Sequence, residues 1–173
     1  GPVSRSELAR ITGLSKQTMS EVAKALEEAG WIREAGLTVG GLGRRAAMYQ
    51  LDERRAFALG IDLGGTKVHL GISDLTGALA GELEEPTDRR GGLHVVRQIR
   101  DVMLRVADRA GVDPARVHAG AMGSPGVFDV ASGRIQLAPN ISGLDKFDVA
   151  GALQEVLGFP IAVENDVNLA ALG

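Results

Sequence analysis

The sequence contains no cysteine, so no disulfide and no thiolate zinc site can form within its 173 residues. Long apolar runs are missing as well. Hydrophobic residues make up 45% of the chain, enough for a core, yet no run approaches the roughly 18–20 residues of a membrane span. The start, Gly1-Pro2-Val3-Ser4, has neither the basic region nor the apolar stretch of a secretory signal. It also lacks an initiator Met, and Gly1-Pro2 reads as a scar of tag cleavage, with native residues expected before Val3. Internal repeats and low-complexity tracts are absent. These absences together point to a cytoplasmic protein with no membrane partner.

What charge there is lies unevenly. The net charge is −3. Residues 1–55 hold nine Lys/Arg against seven Asp/Glu, and residues 56–173 hold ten against fifteen. A slightly basic head on an acidic body directs any nucleic-acid contact to the N-terminus.

The head has the spacing of a helix-turn-helix. Leu8 and Ile11 can share one helical face. Gly13 tolerates the positive φ of a sharp turn, and Ser15 is a good N-cap. Met19, Val22, Ala23, Leu26 and Ala29 then recur at helical spacing until Gly30. Ala9 is small enough for a second helix to cross closely above the first. Outward residues at the start of that helix, Ser15, Lys16, Gln17, Thr18, Ser20 and Lys24, include groups that reach base edges and phosphates. A helical hairpin with a merely solvated polar face would read alike, except that a wing follows. Trp31–Ala35 and Ala47–Leu51 flank a Gly-rich tip carrying Arg44 and Arg45, which suit a minor groove or phosphates unless they are only solvated. A further helix usually precedes these elements, so the head is expected to be truncated.

Residues 56–173 read as βββαβ…αβα: strands at 56–62, 67–74 and 78–85, a helix at 92–110 with Leu93, Val96, Ile99, Met103, Val106 and Ala110 on its stripe, a strand at 117–122, a helix at 147–157 and a strand at 161–163. This order predicts an α/β chain with a winged helix-turn-helix head, residues 1–55, before an incomplete ribonuclease-H-like lobe of the actin and sugar-kinase type, residues 56–173. Its chemistry sits at the turns. In Asp62-Leu63-Gly64-Gly65-Thr66-Lys67 the glycines let backbone N–H groups approach phosphate oxygens, Thr66 and Lys67 add a hydroxyl and a charge, and Asp62 can face a nucleotide-bound Mg²⁺. Asn165 is a bidentate partner for vicinal hydroxyls. Asp166 could take the proton of a hydroxyl attacking a γ-phosphate, or could simply cap a helix.

The combination resembles the ROK family of repressors and sugar kinases over essentially the whole chain. Asp62 to Lys67 resembles its phosphate motif, Gly123-Ser124-Pro125-Gly126 and Pro139-Asn140 its sugar-side loops, and Glu164-Asn165-Asp166 its sugar-binding Asn and catalytic Asp. The resemblance implies a repressor with operator DNA and a sugar or sugar phosphate as partners, acting as a dimer or tetramer; the alternative is an ATP-dependent sugar kinase. It also implies that ATP with Mg²⁺ can bind, and that structural zinc belongs to a part beyond Gly173. His69, His94 and His118 match no family ligand. Gly43-Arg44-Arg45 departs from the more usual Gly-Arg-Pro of the wing.

If residues 4–51 read DNA, Lys16→Ala or Gln17→Ala should relax sequence preference. Changing Arg44 and Arg45 together to Ala should weaken binding and flatten its salt dependence. A fluorescence-anisotropy salt titration with an unchanged slope in the double variant would remove the wing from the interface.

Overall fold

A computed structural model describes residues 1–37, 46–138 and 140–167. The chain divides into two compact units, Gly1–Arg55 and Ala56–Gly173.

The first unit contains β1 (Val3–Ser4), α1 (Arg5–Thr12), α2 (Lys16–Glu28), β2 (Ile32–Leu37) and β3 (Ala47–Leu51). Its antiparallel sheet runs β1-β3-β2. The local chemistry of the turn is as the sequence predicts. Ser4 Oγ caps α1 by accepting from Glu7 N at 3.2 Å, and Gly13 ends it in the left-handed region at φ 72°. Ser15 Oγ opens α2 by accepting from Thr18 N at 3.1 Å. The buried stripe is narrower than expected. Met19 and Ala23 are buried, but Val22 and Leu26 are each 39% exposed, because two helices and a small sheet cannot cover the full apolar arc of α2. Strand β1 has no period to read, and only its pairing with β3 defines it. Arg5 ties the unit together, with its guanidinium 4.8 Å from the centre of the Tyr49 ring and bonded to the Tyr49 hydroxyl.

The second unit starts with β4 (Phe57–Leu63), β5 (Lys67–Asp74) and β6 (Leu79–Pro86), which are antiparallel, followed by α3 (Gly92–Ala110). Then come β7 (Val117–Ser124), the hairpin of β8 (Val127–Asp129) and β9 (Arg134–Gln136), α4 (Val149–Leu157) and β10 (Ile161–Asn165). The five-stranded sheet has the order β10-β7-β4-β5-β6, with β7 parallel to both β4 and β10. Phe57, Leu59, Ile61 and Leu63 alternate inward along β4, and Val68, Leu70 and Ile72 along β5. Burying each such apolar side chain contributes about 1.5–3 kcal/mol.

Helix α3 lies against β5, β6 and α4, and this breadth changes the expected stripe. Val95, Val102 and Ala107 are buried beside Val96, Ile99, Met103 and Val106, whereas Leu93 is 48% exposed in the first turn. A single-row reading undercounts a helix that touches three elements. The loop expected at Gly123-Ser124-Pro125-Gly126 is also shorter, since β7 runs to Ser124 and Val127–Asp129 pairs with β9.

The two positions should separate in urea unfolding. Ile99→Ala is expected to cost about 2–5 kcal/mol, and Leu93→Ala about 0.5 kcal/mol. Similar costs would mean that Leu93 is covered after all.

Candidate functional site

In the first unit the expected DNA-facing residues Ser15, Lys16, Gln17, Thr18, Ser20 and Lys24 are all exposed. Several are held in place by their neighbours. The Ser15 and Thr18 hydroxyls bond each other at 2.9 Å, Ser20 Oγ donates to Lys16 O at 2.9 Å, and Gln17 Nε2 donates to Glu21 Oε1 at 3.2 Å. Lys24 pairs with Glu28 at 3.7 Å. Lys16 has no ion pair among the described residues, which leaves an exposed cation on the first turn of α2. Arg44 and Arg45 lie outside the described residues.

In the second unit the parallel register of β4, β7 and β10 brings their C-terminal ends level. Asp62 lies opposite Gly123, Glu164 opposite Gly123, and Asn165 opposite Ser124. The Asn165 side-chain amide donates to the Gly126 carbonyl, joining the β10 end to the loop after β7. Gly126 has φ 98°, and a Cβ there would collide with the Gln136 carbonyl, so the loop sits directly on β9. Pro125 is half-buried. Ser124 is buried and its Oγ donates to the Pro125 carbonyl at 3.2 Å, which turns this hydroxyl toward the loop's own backbone.

The Gly-Gly turn is fixed from two sides. Gly64 N–H donates to Lys67 O at 2.9 Å, and Thr87 N–H donates to Thr66 O at 3.0 Å. Thr87, buried, also donates through Oγ1 to Gly64 O at 2.7 Å. A Cβ on Gly65 would collide with Asn140 Cβ, so the turn and the Asn140 loop touch. Among the described residues the Gly65 and Thr66 amides have no acceptor. The Lys67 ammonium is held at 2.7 Å by Glu84 on β6, and that hydrogen bond raises the pKa of Lys67. Lys67 therefore balances a carboxylate on the sheet surface.

At the β10 end, Asp166 Oδ1 accepts from Val167 N–H at 2.8 Å, and Asn165 Oδ1 accepts from the same group at 2.9 Å. The capping position therefore falls to Asn165, whose Oδ1 reaches the amide two residues on, whereas Asp166 bonds the next amide and is exposed. Glu164 Oε1 accepts from Asn165 N–H at 2.8 Å and orients the residue beside it. Pro139 lies outside the described residues. Thr87, Gly91 and Ser142, which clamp the loops around the turn, escape sequence reading because a hydroxyl or glycine in a loop has no periodicity to betray it. Among the described residues no cluster of His, Asp or Glu could hold a metal ion.

Residues 58–173 match the ROK family. The chain belongs to the ROK family. Residues 1–40 match the MarR family, whose match falls on the helix-turn-helix. The xylose repressor of Caldicellulosiruptor bescii is 26% identical over 99% of this ROK chain and 43% of its own length. This chain thus spans less than half of that relative. Among solved structures, the ROK hexokinase of Thermus thermophilus is 37% identical over 67% of this chain and 37% of its own, with a TM-score of 0.60. A ROK family transcriptional regulator, a homologue of the Escherichia coli MLC protein, shares the fold at TM-score 0.68 and 22% identity over 99% of this chain and 43% of its own. The winged head and ribonuclease-H-like lobe are the architecture of such regulators, and the strand-end site lies within the part shared with the hexokinase.

Contact between the Gly-Gly turn and the Asn140 loop is testable. Gly65→Ala should destabilise the protein by about 1–3 kcal/mol through overpacking, and Asn140→Gly in the same background should restore part of the loss. Strict additivity of the two changes would show that the segments do not touch.

Proposed function

We propose that this ROK chain serves a sugar-responsive transcription repressor: its helix-turn-helix reads operator DNA, and its kinase-like lobe binds a sugar that alters DNA affinity. The observation that carries the reading is the joining of a capped, exposed recognition helix to a lobe with Asp62, Asn140, Asn165 and Asp166 at neighbouring strand ends and loops. A pure kinase has no use for the first of these. In α/β sheets, ligands bind outside the carboxyl ends of parallel strands. Here Asn165 can both donate to and accept from vicinal hydroxyls. The protein works as a dimer or tetramer, so that a change in geometry between two heads is felt at two half-sites.

A second reading is favoured by one specific observation, the 37% identity to a hexokinase in the lobe together with an exposed Asp166. On this reading the lobe also phosphorylates its sugar with ATP and Mg²⁺. The Gly65 and Thr66 amides fit a phosphate oxyanion, Asp62 suits the side of the metal, and Asp166 accepts the proton of the attacking hydroxyl. Xylose is the first sugar to try, followed by glucose and N-acetylglucosamine.

Calorimetry on the full protein separates the roles. Asn165→Ala should weaken sugar binding by about 1–3 kcal/mol through an unpaired polar partner. Asp166→Asn should keep binding and lose any sugar-dependent ADP release. Operator anisotropy should respond to sugar in the wild type and not in Asn165→Ala. Wild-type sugar affinity in Asn165→Ala would move the sugar elsewhere.

A further inference from the structure

The chain leaves the first unit through a segment bonded back onto the end of α2. Gly30 N–H donates to Glu27 O at 3.0 Å and Trp31 N–H to Leu26 O at 2.8 Å, which closes the turn after the helix. Asp52 N–H then donates to Trp31 O at 2.9 Å, and Arg55 N–H to Asp52 O at 3.0 Å. The stretch after β3 is thus laid along that turn. Arg55, half-buried, completes the arrangement with its side chain. Its Nε donates to Ala29 O at 3.0 Å, and its guanidinium carbon stands 5.4 Å from the centre of the Trp31 ring.

Ala29 is the C-cap of α2. The last carbonyls of a helix have no partner within it, and they carry the negative end of its dipole. A basic side chain in the last turn can answer that charge, but α2 has none there. Arg55 supplies it from 26 residues further along the chain, and the Trp31 ring holds the cation from one side.

The position of Arg55 in the chain makes this tie more than a cap. Arg55 is the last residue of the first unit, and Ala56 alone separates it from β4. Ala56 and Phe57 are both buried. Strand β4 is bonded to β5 on one side and β7 on the other, and its far end carries Asp62 and the Gly-Gly turn. A strand packed in this way is stiff, so a displacement at its site end reaches its start. At the other end of the tie, α2 is the helix whose first turn presents Lys16 and Gln17.

We propose that Arg55 is a positioning residue through which sugar binding in the lobe changes the DNA affinity of the head. The tie to Ala29 and Trp31 has two states. DNA favours the made tie, which fixes the end of α2, and sugar favours the broken one; that opposed preference is the coupling. This rests on the reading of the protein as a sugar-responsive regulator and supplies the link between its two activities.

The full protein is measured by fluorescence anisotropy on a labelled duplex that it selects from a random-sequence pool, with and without xylose, glucose or N-acetylglucosamine. Each sugar is also titrated calorimetrically in the absence of DNA. Wild type is compared with Arg55→Ala and with a variant carrying two glycines inserted between Arg55 and Ala56. A sugar that binds should weaken duplex binding by the wild type about fivefold or more. Arg55→Ala should bind the duplex at the weakened level with or without sugar, at a sugar affinity no lower than that of the wild type. The insertion keeps the tie but slackens the link, so it should bind the duplex at the sugar-free level in both conditions. A sugar response of wild-type size in either variant overturns the proposal, as does loss of sugar binding in Arg55→Ala. If Arg55→Ala no longer binds the duplex at all, the insertion decides. If the wild type responds to none of the three sugars, the regulator reading falls and the proposal with it.

Discussion

Everything at the candidate site depends on the register by which β7 lies parallel between β4 and β10. Parallel strands need a crossover, and α3 and α4 supply the returns that set β7 beside β4 and β10 beside β7. Each is held by backbone hydrogen bonds along its length and by side chains such as Ile61, Met122 and Val163 packed beneath. Once the strands are level, Asp62, Ser124 and Asn165 are delivered to one edge without any further device. A shift of one residue in β10 would turn Asn165 to the other face.

Levelling the strand ends does not shape the site; close approach of loops does. Gly65 against Asn140, Gly126 against Gln136, and Gly91 against Ser142 are three places where a Cβ would strike a neighbour. Two of these glycines also have positive φ. Leu137 has a left-handed backbone without glycine's freedom, at φ 55°, and it stands where β9 passes into the Asn140 loop. Strain of this kind persists only where the surroundings over-determine it. Here the seat of Gly126 on Gln136 and Leu137 supplies the constraint.

Much of this was legible in the sequence. The helix-turn-helix was readable because Ser15, Gly13 and the small Ala9 announce a cap, a turn and a close crossing by residue type alone. The alternation of Phe57, Leu59, Ile61 and Leu63 announced β4, and Asp62 to Lys67 announced the turn. Legibility ended where tertiary partners decide. Val22 has the right spacing for a core position yet is 39% exposed, since its burial depends on what packs over α2 and not on spacing. Val95 and Val102 fall off a single-row stripe and are buried because α4 and the sheet cover a wide arc. At the site, the turn and the Asn and Asp were readable as chemistry, but Thr87 and the clasp between Gly91 and Ser142 exist only through contacts distant in sequence. The pairing of Lys67 with Glu84 belongs to the same class, since it depends on the register of β5 with β6.

That pairing has a consequence at the rim of the sheet. Among the described residues strand β6 is an outer strand of its sheet, and such a side invites another chain to add itself as the next strand. Glu82 and Glu84 stand exposed along it, and Pro86 at its end has no N–H to offer an incoming partner. His69 and Lys67 on β5 hold those two carboxylates on the sheet surface, at 3.0 Å and 2.7 Å. A second strand arriving with the same sequence would set acid against acid. Along this rim, Glu82 and Glu84 of two copies would therefore repel each other.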